Sequence, residues 1–289
     1  RQMCIRDSIV LAHGPSAKQR QLFLWLIALA GLLSVLIGLP QLATGNNLFV
    51  MFPEVAGSRE LQGTFANHNT TGLFLDIALV ALICALPDED MRPGIVLAAV
   101  ACGLMLLVGL FLTRSRSSML IAVVPFCCLA VRIYWRIARR VSRKQLGLVM
   151  ALGCVAFAGA LLGVSQVDQV QKSFARFENL NDERPAIWRD TRSAIGRYWP
   201  VGSGVGTFDE VFQVDESLET LAPGRAARAH NDFLELTLES GVAGIALLAG
   251  WLAVLGLGAF KALQGRNGSG LAPVAVFVML FMQSVLDYP

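Results

Sequence analysis

Charge is scarce in this sequence. Asp, Glu, Lys and Arg make up 16% of its 289 residues, against 55% hydrophobic, and the mean hydropathy is +0.58. Soluble domains carry roughly a quarter of their residues as charged side chains, so an ordinary soluble protein is excluded. Histidine is scarcer still, with only His13, His68 and His230 present. They stand far apart, without Asp, Glu or Cys at metal-ligand spacing; this argues against a metal-dependent hydrolase, and no metal or other cofactor is expected. The six cysteines (Cys4, Cys84, Cys102, Cys127, Cys128 and Cys154) avoid the long polar segment 166–241, and all but Cys4 fall in or near apolar runs. They read as buried small hydrophobes rather than a disulfide framework or a thiolate metal site. A G-x-S-x-G nucleophile motif is missing, as are internal repeats and low-complexity tracts. The net charge of +3 is small, and no nucleic-acid partner is expected.

What the chain has in abundance is long apolar runs. They fall at about 21–39, 71–87, 95–112, 117–134, 146–165, 242–263 and 271–289, several of them long enough to cross roughly 30 Å of hydrocarbon. This predicts an all-α integral membrane protein with about seven transmembrane helices. Arg132, Arg136, Arg139, Arg140, Arg143 and Lys144 crowd the connection after the fourth run and place it in the cytoplasm. By alternation Lys18, Arg20, Lys261 and Arg266 share that side, and the connections 40–70, 113–116 and 166–241 face outward. Four parts follow: a cytoplasmic segment 1–20, helices over 21–165, one large extracytoplasmic loop over 166–241, and helices over 242–289. Arg1–Ser8 resembles neither a helix nor a signal peptide and the last run stops at Pro289, so the chain reads as a fragment.

The outward segments hold the polar residues that invite a chemical reading. Thr113-Arg114-Ser115-Arg116-Ser117-Ser118 sets two arginines at the mouth of a helical hairpin. They are either snorkelling side chains reaching the headgroups or a guanidinium pair for an anion. Asn67 and Asn69 precede the second run, as helix caps or as hydrogen-bonding partners for a sugar or phosphate. Asp76 lies further inside that run, where an ionisable group is costly. The stretch Asn181 to Arg192 reads as a helix opened by Pro185 at its first turn, with Arg184 just before that turn, and closed before Pro200. Its Arg184, Trp188 and Arg192 share a face suited to an anion or a sugar, although surface arginines are the ordinary alternative; Arg189 lies beside them.

The segment Pro200 to Phe208 is glycine-rich, but its spacing is G-x-G-x-G, with no strand–helix unit around it and no following Lys. It reads as a tight turn packed against the membrane face. Arg225 and Arg228 then lead into Ala229-His230-Asn231-Asp232-Phe233-Leu234-Glu235, where Asp232 and Glu235 predict a capping box and a helix start. His230 is thus placed just outside a helix N-terminus, which favours anions.

Four of these places, in order, resemble the O-antigen ligase and O-antigen polymerase superfamily of bacterial membrane glycosyltransferases. They are Gly63-Thr64-Phe65 with Asn69; Ser115-Arg116-Ser117; Arg184 with Trp188, followed by Pro200, Gly202, Gly204 and Phe208; and His230, Asn231, Leu234 and Gly241, which are similar to the family pattern H-N-x-x-L followed by a glycine. Ser284 and Asp287 match a further polar motif, while His68 stands where the family often has proline. The resemblance covers about 60–289 and implies a GT-C-like fold in the bacterial cytoplasmic (inner) membrane.

It also implies a metal-independent transfer of glycan from an undecaprenyl-diphosphate-linked donor to an acceptor hydroxyl at the outer face. The acceptor is lipopolysaccharide core in a ligase, a growing glycan in a polymerase, or a protein in an O-oligosaccharyltransferase. In that reading His230 is the general base and Arg116 and Arg184 stabilise the leaving diphosphate. Asn67, Asn69, Arg114, Trp188, Arg189, Arg192, Arg228 and Asn231 are implied substrate contacts, and membrane lipids surround the whole. A transporter is the alternative from another class, disfavoured because the polar motifs gather at the outer surface rather than the midplane.

Overall fold

The computed structural model describes residues 16–45, 57, 59–87, 92–137, 184–217, 228–264 and 268–286. Among these residues every regular element is helical: α1 (Ala17–Ala43), α2 (His68–Ala85), α3 (Pro93–Leu112), α4 (Arg116–Ile121), α5 (Val123–Ile137), α6 (Arg184–Tyr198), α7 (Phe208–Asp215), α8 (Asp232–Gln264) and α9 (Gly268–Leu286). Among the described residues five stretches are long and apolar enough to cross a membrane: α1, α2, α3, the α4–α5 run Arg116–Arg136, and Asp232–Lys261 of α8. The apolar part of α9, Gly270–Leu286, is shorter, and the predicted span 146–165 lies outside the described residues. The chain divides into two units, Arg1–Arg136 with Ala262–Val276, and Ile137–Lys261 with Phe277–Pro289.

In the first unit α2 is the central helix, packed by α1, α3 and α4. It has few outward side chains and buries Leu73, Leu75, Ala78, Leu79 and Leu82. By contrast α1 shows two faces. Leu24, Ala28, Gly31, Ser34, Val35 and Gly38 are buried, with small residues letting the backbones approach, while Leu22, Leu26, Leu29, Leu33 and Leu36 point outward as a lipid-facing helix requires. The helix is started by a capping box: the Ser16 hydroxyl accepts the Gln19 N–H (3.3 Å) and Gln19 Oε1 accepts the Ser16 N–H (2.8 Å). Asp76 is fully buried on α2, and neither carboxylate oxygen has a hydrogen-bond partner among the described residues.

The second unit is built around α6, α7 and the first turns of α8. Ile187, Ala194, Phe208, Phe212, Ala229 and Leu238 form its apolar core. The glycine-rich turn connects α6 to α7 and lies across the end of the first segment of α8. Helix 232–240 would leave its last carbonyls without partners, because Gly241 (φ 54°, ψ −140°) breaks the helix. The turn supplies the missing donors: Ser203 N–H bonds Leu238 O and Gly204 N–H bonds Glu239 O, both at 2.9 Å, while Val242 N–H returns to Pro200 O at 2.9 Å. A side chain on Gly241 would meet the backbone of Pro200 and Val201, so both the left-handed φ and the close approach require glycine. The expected tight turn is therefore observed. Its Ser203 and Gly204 amides are engaged on α8 carbonyls rather than displayed to a phosphate.

Candidate functional site

Two clusters collect the predicted residues, one in each unit. In the first unit the α3–α4 corner alternates buried hydroxyls with half-buried arginines. Thr113, Ser115, Ser117 and Ser118 are buried, and Arg114 and Arg116 stand between them. The hydroxyls build the corner. Thr113 Oγ1 donates to Leu110 O (2.7 Å), Ser115 Oγ accepts Ser118 N–H (3.2 Å) as the cap of α4, and Ser118 Oγ donates to Asn69 O (3.2 Å). That last bond joins the arginine corner to the start of α2. There Asn67 is the N-cap, its Oδ1 accepting the Asn69 N–H at 2.8 Å. Gly72 permits the close approach, since a Cβ there would run into Ser118. Arg114, Arg116, Asn67 and Asn69 are thus brought together at one end of this unit. Arg114 sits in the left-handed region at φ 55°.

In the second unit α6, the His230 segment and the end of α9 converge. Arg184 Nη1 donates to Leu286 O (2.7 Å), and Asn231 Nδ2 donates to the adjacent Val285 O (3.2 Å). The C-terminal carbonyls of a helix carry partial negative charge and attract such donors. One helical turn beyond Arg184, the Trp188 indole N–H donates to Ala229 O (3.0 Å), directly before His230. Phe233 and Phe281 pack with ring centroids 5.2 Å apart, closing α8 against α9. Arg184, Trp188, His230 and Asn231 therefore share one small region of this unit.

The local backbone is fixed from three sides. Asn231 Oδ1 accepts the N–H groups of Phe233 and Leu234, both at 3.1 Å, and so caps α8. The predicted box of Asp232 with Glu235 does not form, because the cap lies one residue earlier and leaves Glu235 beyond the N3 position. Glu235 is buried and reaches back instead: Oε2 accepts the Ala229 N–H (3.0 Å) and Oε1 pairs with Arg228 Nη1 (2.6 Å). His230, at φ 50°, is held in the left-handed region between these anchors. Non-glycine residues are uncommon there, and such strain persists only when the surroundings over-determine it.

Glu235 is the residue that sequence reasoning valued too little. Its place three after Asp232 suggested a helix cap, whereas its contacts hold the segment that carries His230. Trp188 and Asn231 were expected at substrate, and both have side-chain donors engaged on the protein's own carbonyls. Arg189 and Arg192 are exposed on α6, away from its buried face. Arg189 stands 3.8 Å from Asp190, whose other oxygen accepts the Ser217 N–H at 3.1 Å. Asp287 lies outside the described residues. Among the described residues no group of three or more His, Cys, Asp or Glu side chains is placed to hold a metal ion.

Comparison with known proteins gives this arrangement its context. The family model described as O-antigen ligase matches residues 100–249, which include the arginine corner, α6, the glycine-rich turn and the His230 segment. The chain is also similar to the exopolysaccharide production protein ExoQ of Rhizobium meliloti (strain 1021), with 26% identity over 243 residues. That alignment covers 80% of this chain and 54% of the relative, so the chain spans about half the length of the curated relative it matches. With its apolar helices and more than half of its length inside the family match, the chain is a bacterial membrane protein and belongs to the O-antigen ligase family.

Proposed function

We propose that this protein transfers a glycan from an undecaprenyl-diphosphate-linked donor to an acceptor hydroxyl at the outer face of the cytoplasmic membrane, without a metal. The observation that carries this reading is the convergence of Arg184 and the His230 segment on the end of α9, within the family-matched region. In the reaction the acceptor oxygen bonds to the anomeric carbon as the bond from that carbon to the diphosphate oxygen breaks. The electron pair leaves with the diphosphate, and the acceptor proton passes to the imidazole of His230.

Negative charge grows on the bridging oxygen as the bond breaks. A guanidinium already in place stabilises that state more than the bound donor. Arg184 suits this task because its contact with Leu286 O holds the side chain at the end of α9, next to the His230 segment. Arg228 is less suited, since Glu235 compensates it. Arg114 and Arg116 are proposed as further anion contacts on their motif, with Asn67 and Asn69 beside them.

The lead reading is a ligase whose acceptor is lipopolysaccharide core. A second reading is chain extension, with a glycan acceptor, and the relative named for exopolysaccharide production favours it. Both use a single displacement, which inverts the anomeric carbon. Incubating membranes holding the full chain with a lipid-diphosphate glycan of known configuration, and determining the product linkage, tests the proposal. Inversion is expected; retention, or transfer from a nucleotide sugar alone, overturns it.

A further inference from the structure

The glycine-rich turn between α6 and α7 presents a surface that the transfer chemistry does not use. Its apolar side chains point out of the protein: Val205 is 85% exposed, Val201 81% and Trp199 49%. Residues 198–208 carry no charge at all, the nearest charged side chains in the chain being Arg197 and Asp209. Single exposed apolar residues are ordinary on a protein surface, whereas three on one turn that adjoins an apolar helix surface mark a contact.

The position of the turn on α8 identifies the partner. Residues 242–260 of α8 carry no charged side chain and end at Lys261. At 1.5 Å per residue the run 242–261 measures roughly 30 Å, the thickness of a hydrocarbon core. Gly241 thus stands at one edge of that core, and the turn is fixed at the same level. Val242 N–H bonds Pro200 O, and a side chain on Gly241 would meet the backbone of Val201. Exposed Val201 therefore adjoins Val242, where with Leu247 and Trp251 the exposed apolar surface of α8 begins.

The backbone of the turn is also suited to that level. The amides of Gly202, Ser203, Gly204 and Thr207 all bond carbonyls of the protein. The Ser203 and Thr207 hydroxyls lie 2.8 Å apart, and Thr207 Oγ1 donates to Gly204 O at 2.7 Å. Polar groups satisfied within the protein lower the cost of leaving water. Irregular backbone facing lipid is not tolerated deep in the hydrocarbon, so the level is shallow. Tryptophan is favoured at that depth.

We infer that Trp199, Val201 and Val205 insert into the interfacial layer of the membrane and meet phospholipid acyl chains beside the start of the α8 span. The turn is then an anchor. Phe208, Ile187, Ala194 and Ala229 share one apolar core behind it, so the anchor sets the height of α6 and of the His230 segment above the bilayer.

The test uses the full chain in phosphatidylcholine nanodiscs, with the photoreactive residue p-benzoylphenylalanine in place of Val205 or, separately, of exposed Glu210 in the first turn of α7. Illumination should give a phospholipid adduct from position 205 and only background from position 210. Equal lipid adducts from both positions, or cross-linking from 205 to protein (a second copy or another part of this chain), would overturn the inference. Trp199→Phe gives a second reading without a bulky group. The tryptophan emission it removes should be the part quenched by lipids brominated on their acyl chains and shielded from aqueous iodide; the reverse pattern would count equally against the anchor. Neither readout needs glycan transfer, so both stand apart from the proposed reaction.

Discussion

Two non-glycine residues among those described adopt the left-handed backbone, Arg114 and His230, and each stands in a different unit within the residues that the family model matches. The two turns are held by opposite means. Arg114 is framed by neighbours in the chain: Thr113, Ser115 and Ser118 close the corner through hydroxyl bonds spanning a few residues, with one longer reach to Asn69. His230 is framed from afar, by Trp188 on α6 and by Asn231 bonded to Val285 on α9, with Glu235 reaching back over six residues to Ala229. The first turn is a local construction of neutral groups. The second depends on tertiary structure and on a buried carboxylate, so its geometry is more fragile and more specific to the folded state.

That contrast predicts unequal responses to substitution. The largest separates two arginines of one helix. Arg184→Ala should lower the transfer rate by about 100- to 1,000-fold, the usual loss for one donor at developing negative charge. Exposed Arg192→Ala should lower it by less than about tenfold, and comparable losses in both would remove the special status of Arg184.

Glu235→Ala comes next. It strands the buried Ala229 N–H and releases the segment before His230, which should cost about 1–3 kcal/mol in denaturant titrations. Transfer should fall at constant donor KM, as expected for a loss of positioning. A fall confined to KM would place Glu235 at the substrate instead.

The smallest effect is expected at the locally built corner. Ser115→Ala removes the cap of α4 for about 1 kcal/mol and should leave Arg116 close to its place, with transfer reduced less than about tenfold. A loss matching Arg184→Ala would show that the hydroxyl corner is as finely set as the His230 turn.

The same contrast explains what was legible in the sequence. Apolar runs locate α1, α2, α3, the α4–α5 run and the part of α8 after Gly241, because lipid-facing helices announce themselves by length and composition. Pro185 marks the first turn of α6, and the glycine spacing gives the turn before α7. The serines and arginines of the α3–α4 corner can also be read, since their bonds are short in sequence. Not legible were bonds such as Trp188 to Ala229, Arg132 to the end of α2, or Arg184 to Leu286, which join residues 41 to 102 positions apart. The cap of α8 was placed one residue late because Asp232 and Asn231 are both good caps. Only the fold shows that Glu235 turns away from the helix start toward Ala229.

The central claim is that the strained residue of the second turn is the base that accepts the acceptor's proton. The direct measurement is single-turnover transfer from a lipid-diphosphate glycan by the full chain carrying His230→Ala, at matched amounts of membrane-inserted protein. Loss of a general base lowers such a rate by about 100- to 10,000-fold, and that loss is the predicted result. Transfer within a few-fold of the unsubstituted protein would contradict the account.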